Sequence, residues 1–523
     1  MIDLAAKPFY LKPEDIEWVN TTLAGMTTEE KAGQLFCVLF KECKPEEFEY
    51  VFNILKPGGC MYRVVPTERA IAATQNIYSR SKVPPLIAAN LEKGGNGIVT
   101  EGTLVGAPME IAATDDIGMA TKMAHACAAE ASAVGANWAF APIIDIDTNY
   151  RNPITNTRTF GSDPERVRRM GRAYVEEVQK MGLAASIKHF PGDGQDERDQ
   201  HLVTSINSMD CDPWMNTYGA AYKAGIEAGA LTAMVGHIMQ PAWTRRLNPG
   251  IKDEDIMPAT LSPELIEGLL RGKLGFNGMV LTDASHMVGL TCCMKRSEML
   301  PHTIAAGVDM FLFFNEMDED FASMMAGYEN GIITEERLND ALHRILALKA
   351  HMGLHKKAKN EIVPPVEVME QVVGCEEHKA MAREISEKGI TLVKYKDEDV
   401  LPMIPSRYKR IMIVSVSGLS AGVMGTMMAK YMGGGKKSPA ERLRDKLIEK
   451  GFDAFIYESP LDALAKRAAA GEKVDINMYF AGKTPIKEFV ENQDLIITLV
   501  DIAGGFQPVA RPGFGMSKGG GEI

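Results

Sequence analysis

The sequence predicts an α/β protein: a (β/α)8 TIM-like barrel followed by a smaller α/β layered domain. Three observations predict it. Short β-rich apolar runs alternate with longer helical patterns, eight such runs fall between residues 20 and 352, and a break in periodicity separates them from a shorter second series. The length agrees, because 523 residues exceed one ordinary core and divide by size into about two or three domains. With 46% hydrophobic and 24% charged residues, the chain has the composition of a folded globular protein.

Taken in order, Thr27 and Glu30 form a capping box that opens the segment before Gln34–Phe40. The strand candidates are Leu35–Leu39, Gly59–Arg63, Leu86–Asn90, Asn137–Ile144, Ala184–Phe190, Leu231–His237, Gly278–Asp283 and Val308–Phe314. Helical periodicity fills the intervals, as in Asp163–Lys180 and Ser262–Gly272, so residues 1–355 are expected to form the barrel domain. Lys356–Val366, with two lysines at its start and the Pro364-Pro365 pair, breaks the pattern and reads as a linker over 356–366.

Residues 367–523 then form the smaller α/β domain, with strand candidates Ile390–Tyr395, Arg410–Val416, Asp453–Glu458 and Asp494–Ile502 and a helix over Ala440–Lys450. Gly504–Ile523 is rich in Gly and Pro and closes on no helix or strand, so this domain reads as incomplete at its C-terminus. The Gly433-Gly434-Gly435 loop with Lys436 and Lys437 lacks the spacing of a phosphate-binding loop and reads as a surface turn.

With 69 acidic against 57 basic residues, the net charge of -12 supplies no basic field for nucleic acid or an anionic membrane. Met1–Asn20 has no apolar core of a signal peptide, and no apolar run reaches membrane-spanning length. Cys37, Cys43, Cys60, Cys127, Cys211, Cys292, Cys293 and Cys375 form no CxxC pair and several lie in apolar runs. Reduced, buried thiols and a cytoplasmic location are the expectation.

In such a barrel, chemistry belongs at the C-terminal ends of the strands. Four segments qualify: Asn90-Leu91-Glu92, Lys188–Gly194, His237 and Thr282-Asp283. Asp283 emerges where the apolar Met279-Val280-Leu281 meets its loop, which suits either a rigidly held nucleophile or a helix cap. Lys188-His189 suits donors for ligand hydroxyls or a solvated strand end. Asp199-Gln200-His201 suits a general acid/base, since an imidazole can give and take a proton near neutral pH, or plain polar surface.

Lys188–Gly194, Arg158–Pro164 and Leu274–Asp283, in that family's order along the chain, together with Phe140–Ile146 and Ala259–Ser262, resemble glycoside hydrolase family 3 over most of the barrel. The second domain is similar more loosely, through Ala382-Arg383 to Val393 and Leu401-Pro402. Within the family the pattern is most similar to the bacterial β-N-acetylglucosaminidases, whose lysine-histidine loop continues into an Asp-x-His dyad, here Asp199 and His201. The resemblance implies Asp283 as nucleophile, His201 as general acid/base with Asp199 as its partner, and double displacement with retention. Arg158, Lys188 and His189 match sugar-binding positions, and Asn90, Glu92 and His237 are further candidate substrate contacts.

The implied partner is a small carbohydrate, with no nucleic acid or membrane, and a homodimer is compatible with the sequence. No metal or cofactor is expected, because the mechanism needs none and no cluster has metal-ligand spacing.

Three departures bear on the substrate. Asn90 stands where the family usually has an aspartate, which weakens a charge-assisted bond to a hydroxyl. Asp193 stands where the N-acetylglucosaminidase pattern has a histidine and the glucosidase pattern an aspartate, and Gln200 replaces the usual serine inside the dyad. A longer side chain there is expected to reshape the loop that carries His201.

The leading expectation is an exo-acting β-N-acetylhexosaminidase. The alternatives are a β-glucosidase of the same family, a phosphorylase, since a histidine acid/base sets no second negative charge beside the acceptor, and a non-catalytic sugar-binding relative. Asp283 together with Asp199 and His201 argues against the last.

Overall fold

A computed structural model of the chain describes residues 2–358, 362–395, 400–417, 437–458, 464, 466–468, 470–474 and 491–501. Contacts divide the chain into two compact units, Met1–Thr391 and Leu392–Ile523.

In the first unit the helix Thr28–Gln34 opens on the expected box: the Thr27 hydroxyl accepts from the Glu30 amide while the Glu30 carboxylate accepts from the Thr27 amide. This turns the chain into the first of ten strands. They are Phe36–Phe40 (β1), Gly59–Tyr62 (β2), Leu86–Ala89 (β3), Trp138–Ala139 (β4), Ala184–Phe190 (β5), Ser205–Ile206 (β6), Thr232–Val235 (β7), Ile238–Met239 (β8), Met279–Ala284 (β9) and Met310–Leu312 (β10). Eight of them close a parallel barrel in the order β1-β10-β9-β7-β5-β4-β3-β2, and β6 and β8 pair separately. The barrel strands coincide with the eight expected runs apart from their ends.

The run Asn137–Ile144 differs most. Regular pairing covers only β4, because Pro142 has no N–H to give; beyond it the chain stays alongside β5 through the Ile143–Lys188 bridge and a bond from the Lys188 amide to the Pro142 carbonyl of 3.2 Å.

A parallel sheet wrapped by helices is covered on both faces, so its strands are predominantly apolar. All of β5 is buried, including its two charged-type residues Lys188 and His189. The helix Pro164–Lys180 shows how the outer ring is fixed. Asp163 caps it by accepting from the Glu165 amide (3.0 Å), Pro164 fills the first turn, and Val167, Met170, Tyr174 and Val178 recur at helical spacing on the buried face. The helix expected over Ser262–Gly272 is a π-helix, Glu264–Lys273.

After the helix Glu335–His351, the helices Val366–Val372 and Glu376–Gly389 remain part of the first unit. Their tie is Glu130, fully buried in the helix Ile117–Ala133, which accepts from the Thr103 hydroxyl, the Gly374 amide and His378 Nδ1 (2.7 Å). The stretch 367–391, assigned from sequence to the second domain, thus packs on the barrel. The strand expected at Ile390–Tyr395 is not formed. This segment is irregular and open, with Val393 90% exposed.

The second unit contains Arg410–Ser417 (β11), Asp453–Ile456 (β12) and Leu495–Asp501 (β13), parallel in the order β12-β11-β13. The helix Pro439–Glu449 starts on a capping box of Ser438 and Glu441 and buries Leu447 against Ile411, Ile413 and Phe452. The Gly433–Lys436 loop and the Gly504–Ile523 end lie outside the described residues.

The cysteines all stand as thiols, but only Cys37, Cys60 and Cys127 are buried and Cys292 is exposed, which corrects the expectation that burial is general. No helix among the described residues is long and apolar enough to cross a membrane.

Candidate active site

The C-terminal ends of β3, β5, β7 and β9 bring most of the candidate residues together. The exit from β5 sets the geometry. Gly192 and Gly194 take φ of +111° and +105°, where a Cβ would collide with the Tyr218 ring and with the Ile146 carbonyl oxygen. This turn folds Asp193 back, so that its amide and the His189 amide both donate to Asp145 Oδ1 (2.9 and 3.0 Å). Asp145 Oδ2 lies 2.7 Å from His189 Nδ1. An ionised carboxylate only accepts, so Nδ1 carries the hydrogen and His189 presents Nε2 to Asp283 Oδ2 at 3.8 Å.

Asp283 sits near the end of β9 with its side chain 16% exposed. Oδ1 accepts from the Ala284 amide (2.7 Å), a contact of the capping kind, yet among the described residues Oδ2 has only the distant His189 ring. Burial pushes the carboxyl up, but the charges of His189 and Lys188 with the Ala284 bond outweigh it, and Asp283 lies below the ordinary carboxylate range. It is an anion at neutral pH with one oxygen nearly unbonded, which is the state a nucleophile needs.

Beside it Glu92 takes a fork from Arg158 (Nε 3.1 Å, Nη2 2.9 Å) and a bond from Lys188 Nζ (2.8 Å). Burial raises the Glu92 carboxyl, and the two cations more than reverse this, holding it well below the usual range. Burial alone would make the Arg158 guanidinium easier to deprotonate, but Glu92, Asp283 and Asp145 hold its proton more firmly than usual. Two cations shared with one carboxylate leave positive charge facing Asp283.

Asp199 Oδ1 accepts from the His201 amide (2.8 Å) and meets His201 Nδ1 at 2.7 Å, with both side chains partly exposed, 17% and 25%. Burial raises the Asp199 carboxyl, but the bonds to His201 and the charges of His201 and Arg158 win and lower it. The Val288 and Gly289 amides, just past β9, donate to the His201 and Gln200 carbonyls (3.0 Å each), so the dyad loop lies beside the C-terminal end of β9, where Asp283 sits.

Two candidates are placed differently. His237 is fully buried, with Nδ1 2.8 Å from the Thr260 hydroxyl and Nε2 3.1 Å from the Ala284 carbonyl. Burial lowers its pKa, so it is neutral, and with both ring nitrogens bonded it braces the end of β9. Asn90 is exposed at the exit of β3, and its side chain has no partner among the described residues.

Two residues were not singled out from sequence. Asp145 fixes His189, and Thr260 fixes His237. Asp145 carried a readable signal, because Phe140–Ile146 runs from apolar residues into an acid just as Met279–Asp283 does. Thr260 carried none. No group of three or more His, Cys, Asp or Glu side chains among the described residues is arranged to hold a metal.

A family model for the glycosyl hydrolase family 3 N terminal domain matches residues 27–348. A beta-N-acetylglucosaminidase/beta-glucosidase of Cellulomonas fimi is 46% identical over 459 residues, 88% of this chain and 79% of that protein. A beta-hexosaminidase A of Pseudoalteromonas piscicida is 28% identical over 391 residues, 69% of this chain and 62% of that protein. Among solved structures, the beta-glucoside phosphorylase BglX bound to 2FGlc superposes with a TM-score of 0.86 at 41% identity, covering 97% of this chain and 86% of that one.

Proposed function

The chain belongs to glycosyl hydrolase family 3, and from that membership we propose that it is a retaining, exo-acting β-glycosidase with Asp283 as its nucleophile and His201 as its general acid/base. The observation that carries this reading is the Asp283 carboxylate, anionic and under-bonded at the end of β9, with His189 Nε2 3.8 Å from Oδ2.

In the first step an Asp283 oxygen attacks the anomeric carbon and the glycosidic bond breaks, while His201 Nε2 delivers its proton to the departing oxygen. In the second, His201 takes a proton from the incoming acceptor, which displaces Asp283 and restores the β configuration. Asp199, bonded to Nδ1, supports the protonated ring that begins the first step and is regenerated by the second, and it orients the neutral ring between them. Arg158, Lys188 and His189 keep Asp283 ionised, offer donors to sugar hydroxyls, and are held in place by Glu92 and Asp145.

For the glycone, the Cellulomonas fimi relative is named for both N-acetylglucosaminides and glucosides, and the proposed substrate is a terminal β-linked sugar of one of these two kinds. For the acceptor, water is the first reading. Phosphate is the second, favoured by the likeness to a β-glucoside phosphorylase over 97% of the chain and by an acid/base that places no fixed negative charge beside the acceptor. The eight cysteine thiols support a reducing, cytoplasmic compartment.

The test is to incubate the protein with p-nitrophenyl β-N-acetylglucosaminide and β-glucoside, each with and without phosphate. Free sugar from either substrate supports hydrolysis, and a sugar 1-phosphate that grows with phosphate supports the second reading. Release of neither product from both substrates contradicts the proposal.

A further inference from the structure

Asp199, Gln200 and His201 are consecutive, yet the middle residue faces the opposite way from its neighbours. Gln200 is 1% exposed. Its Oε1 accepts from the His237 amide at the end of β7 (2.8 Å), and its Nε2 reaches Asp193 Oδ2 just past β5 (3.4 Å). Both anchor points are rigid. Asp193 accepts from Asn152 Nδ2 (2.8 Å) and the Gly194 amide (2.7 Å) and donates its own amide to Asp145, while His237 is pinned by Thr260 and the Ala284 carbonyl.

Room for the amide depends on Gly236. A Cβ there would stand 3.1 Å from Gln200 Oε1 and 3.2 Å from the His189 Cβ, tighter than side chains normally approach. From above, the Gly289 amide donates to the Gln200 carbonyl and the Val288 amide to the His201 carbonyl, each at 3.0 Å. The loop is therefore gripped on both sides at this residue, with a buried side chain below and two backbone bonds above.

We propose that Gln200 is a positioning residue that locks the His201 loop over the barrel mouth, so that the acid/base is preset in place and does not have to be delivered by closure of the loop. The expectation that its longer side chain reshapes the loop thus takes a definite form. Gln200 reaches past the position of the usual serine into a slot between β5 and β7, and the loop is held there. An acid/base displaced by about an ångström loses much of its effect, because proton transfer needs hydrogen-bond reach to the departing oxygen.

This inference rests on His201 acting as the acid/base, and the experiment separates the two. Leaving groups of different basicity provide the readout, since a dinitrophenolate departs without a proton and an alkoxide does not. The quantity is kcat/KM, which reports only formation of the glycosyl-enzyme. For Gln200→Ala and for Gln200→Met, which keeps the length without the hydrogen bonds, kcat/KM falls on the order of tenfold or more for an alkyl glycoside and stays within about twofold for the 2,4-dinitrophenyl glycoside. His201→Ala shows the same pattern more strongly.

Equal losses on both substrates in both folded variants would make Gln200 merely structural and overturn the proposal, as would no loss on either. If His201→Ala itself shows no dependence on the leaving group, the acid/base assignment fails first. If it does and the Gln200 variants do not, only the positioning role fails. Thermal unfolding of each variant establishes that it is folded before the rates are compared.

Discussion

Asp283 and Asp309 stand at opposite ends of the same pair of strands, β9 and β10, and they are treated in opposite ways. Asp309, fully buried just before β10, takes Arg271 Nη2 (2.7 Å), the Val280 amide (2.8 Å) and Arg337, with Arg344 4.0 Å away. Asp283, past the apolar part of β9, has one backbone N–H and a histidine 3.8 Å away. A buried carboxylate that is fully bonded has nothing left with which to react, and it serves stability. One kept ionised by neighbouring charges but short of hydrogen bonds can form a new bond with little to give up. The difference between the two ends of the barrel lies in how many donors each acid is given, since both are charged and both are enclosed.

Exchanging the two acids for neutral residues breaks the comparison most directly. Asp283→Ala lowers kcat/KM about 10⁴-fold or more, the scale on which removal of a nucleophile acts, while the unfolding midpoint barely moves. His201→Ala follows, with a loss of about 10²- to 10⁴-fold on substrates with poor leaving groups. Asp309→Ala does the reverse. Three arginines lose their shared partner, the unfolding free energy falls by about 3–5 kcal/mol, and whatever protein remains folded keeps a near-normal kcat. Urea titrations beside steady-state rates on the same samples check all three. If Asp309→Ala abolished turnover without loss of stability, the division between the ends would be wrong.

A smaller effect sharpens the picture at the site itself. Burial, and the charge of Asp145 beside it, push the Asp193 carboxyl up to about 6. The native protein therefore retains a proton that the unfolded chain releases between about pH 4 and this value. Asp193 contributes stability at the acid side of that window and loses it as pH rises through it. Asp283, Asp199 and Glu92, all lowered, act in the opposite sense and lose their contribution only as pH falls through the ordinary carboxylate range and below. Asp193→Asn removes the first term, so the difference in unfolding free energy between pH 4.5 and pH 7 changes by about 1–3 kcal/mol relative to the parent. An unchanged difference would place the proton elsewhere.

The smallest effect is expected in the second unit. Arg410 and Asp494 pair at 2.8 Å on an exposed surface, and Arg410→Ala leaves the urea unfolding midpoint nearly unchanged, because solvent screens an exposed pair.

Much of the barrel was legible because parallel strands covered on both faces must be apolar, and that pattern survives in any sequence that folds this way. The residues proposed as nucleophile and dyad stood out because Asp283 interrupts an apolar run and because Asp199 and His201 lie in a motif. What could not be read is what depends on contacts between distant segments. His237 looked like a ligand contact at a strand end, and only its meeting with Thr260 and Ala284 makes it a brace. Gln200 looked like a polar loop residue, and its burial depends on the space left by Gly236. Ile390–Tyr395 has the composition of a strand, yet it is irregular and exposed, because strand composition reports how side chains fit a pleated, half-buried surface and does not itself supply one.

As the proposed nucleophile, Asp283 forms a covalent bond to the sugar. Fluorinated glycosyl fluorides test it, because fluorine on the ring slows both steps while the fluoride leaving group keeps the first one fast enough to accumulate the intermediate. The protein is treated with 2-deoxy-2-fluoroglucosyl fluoride and, separately, with 5-fluoro-N-acetylglucosaminyl fluoride, and then followed by intact mass and by mapping of the labelled peptide. One glycosyl adduct per chain is expected with at least one probe, carried by the peptide containing Asp283 and absent from Asp283→Ala. An adduct on another residue, or none with either probe on protein that turns over substrate, would contradict it.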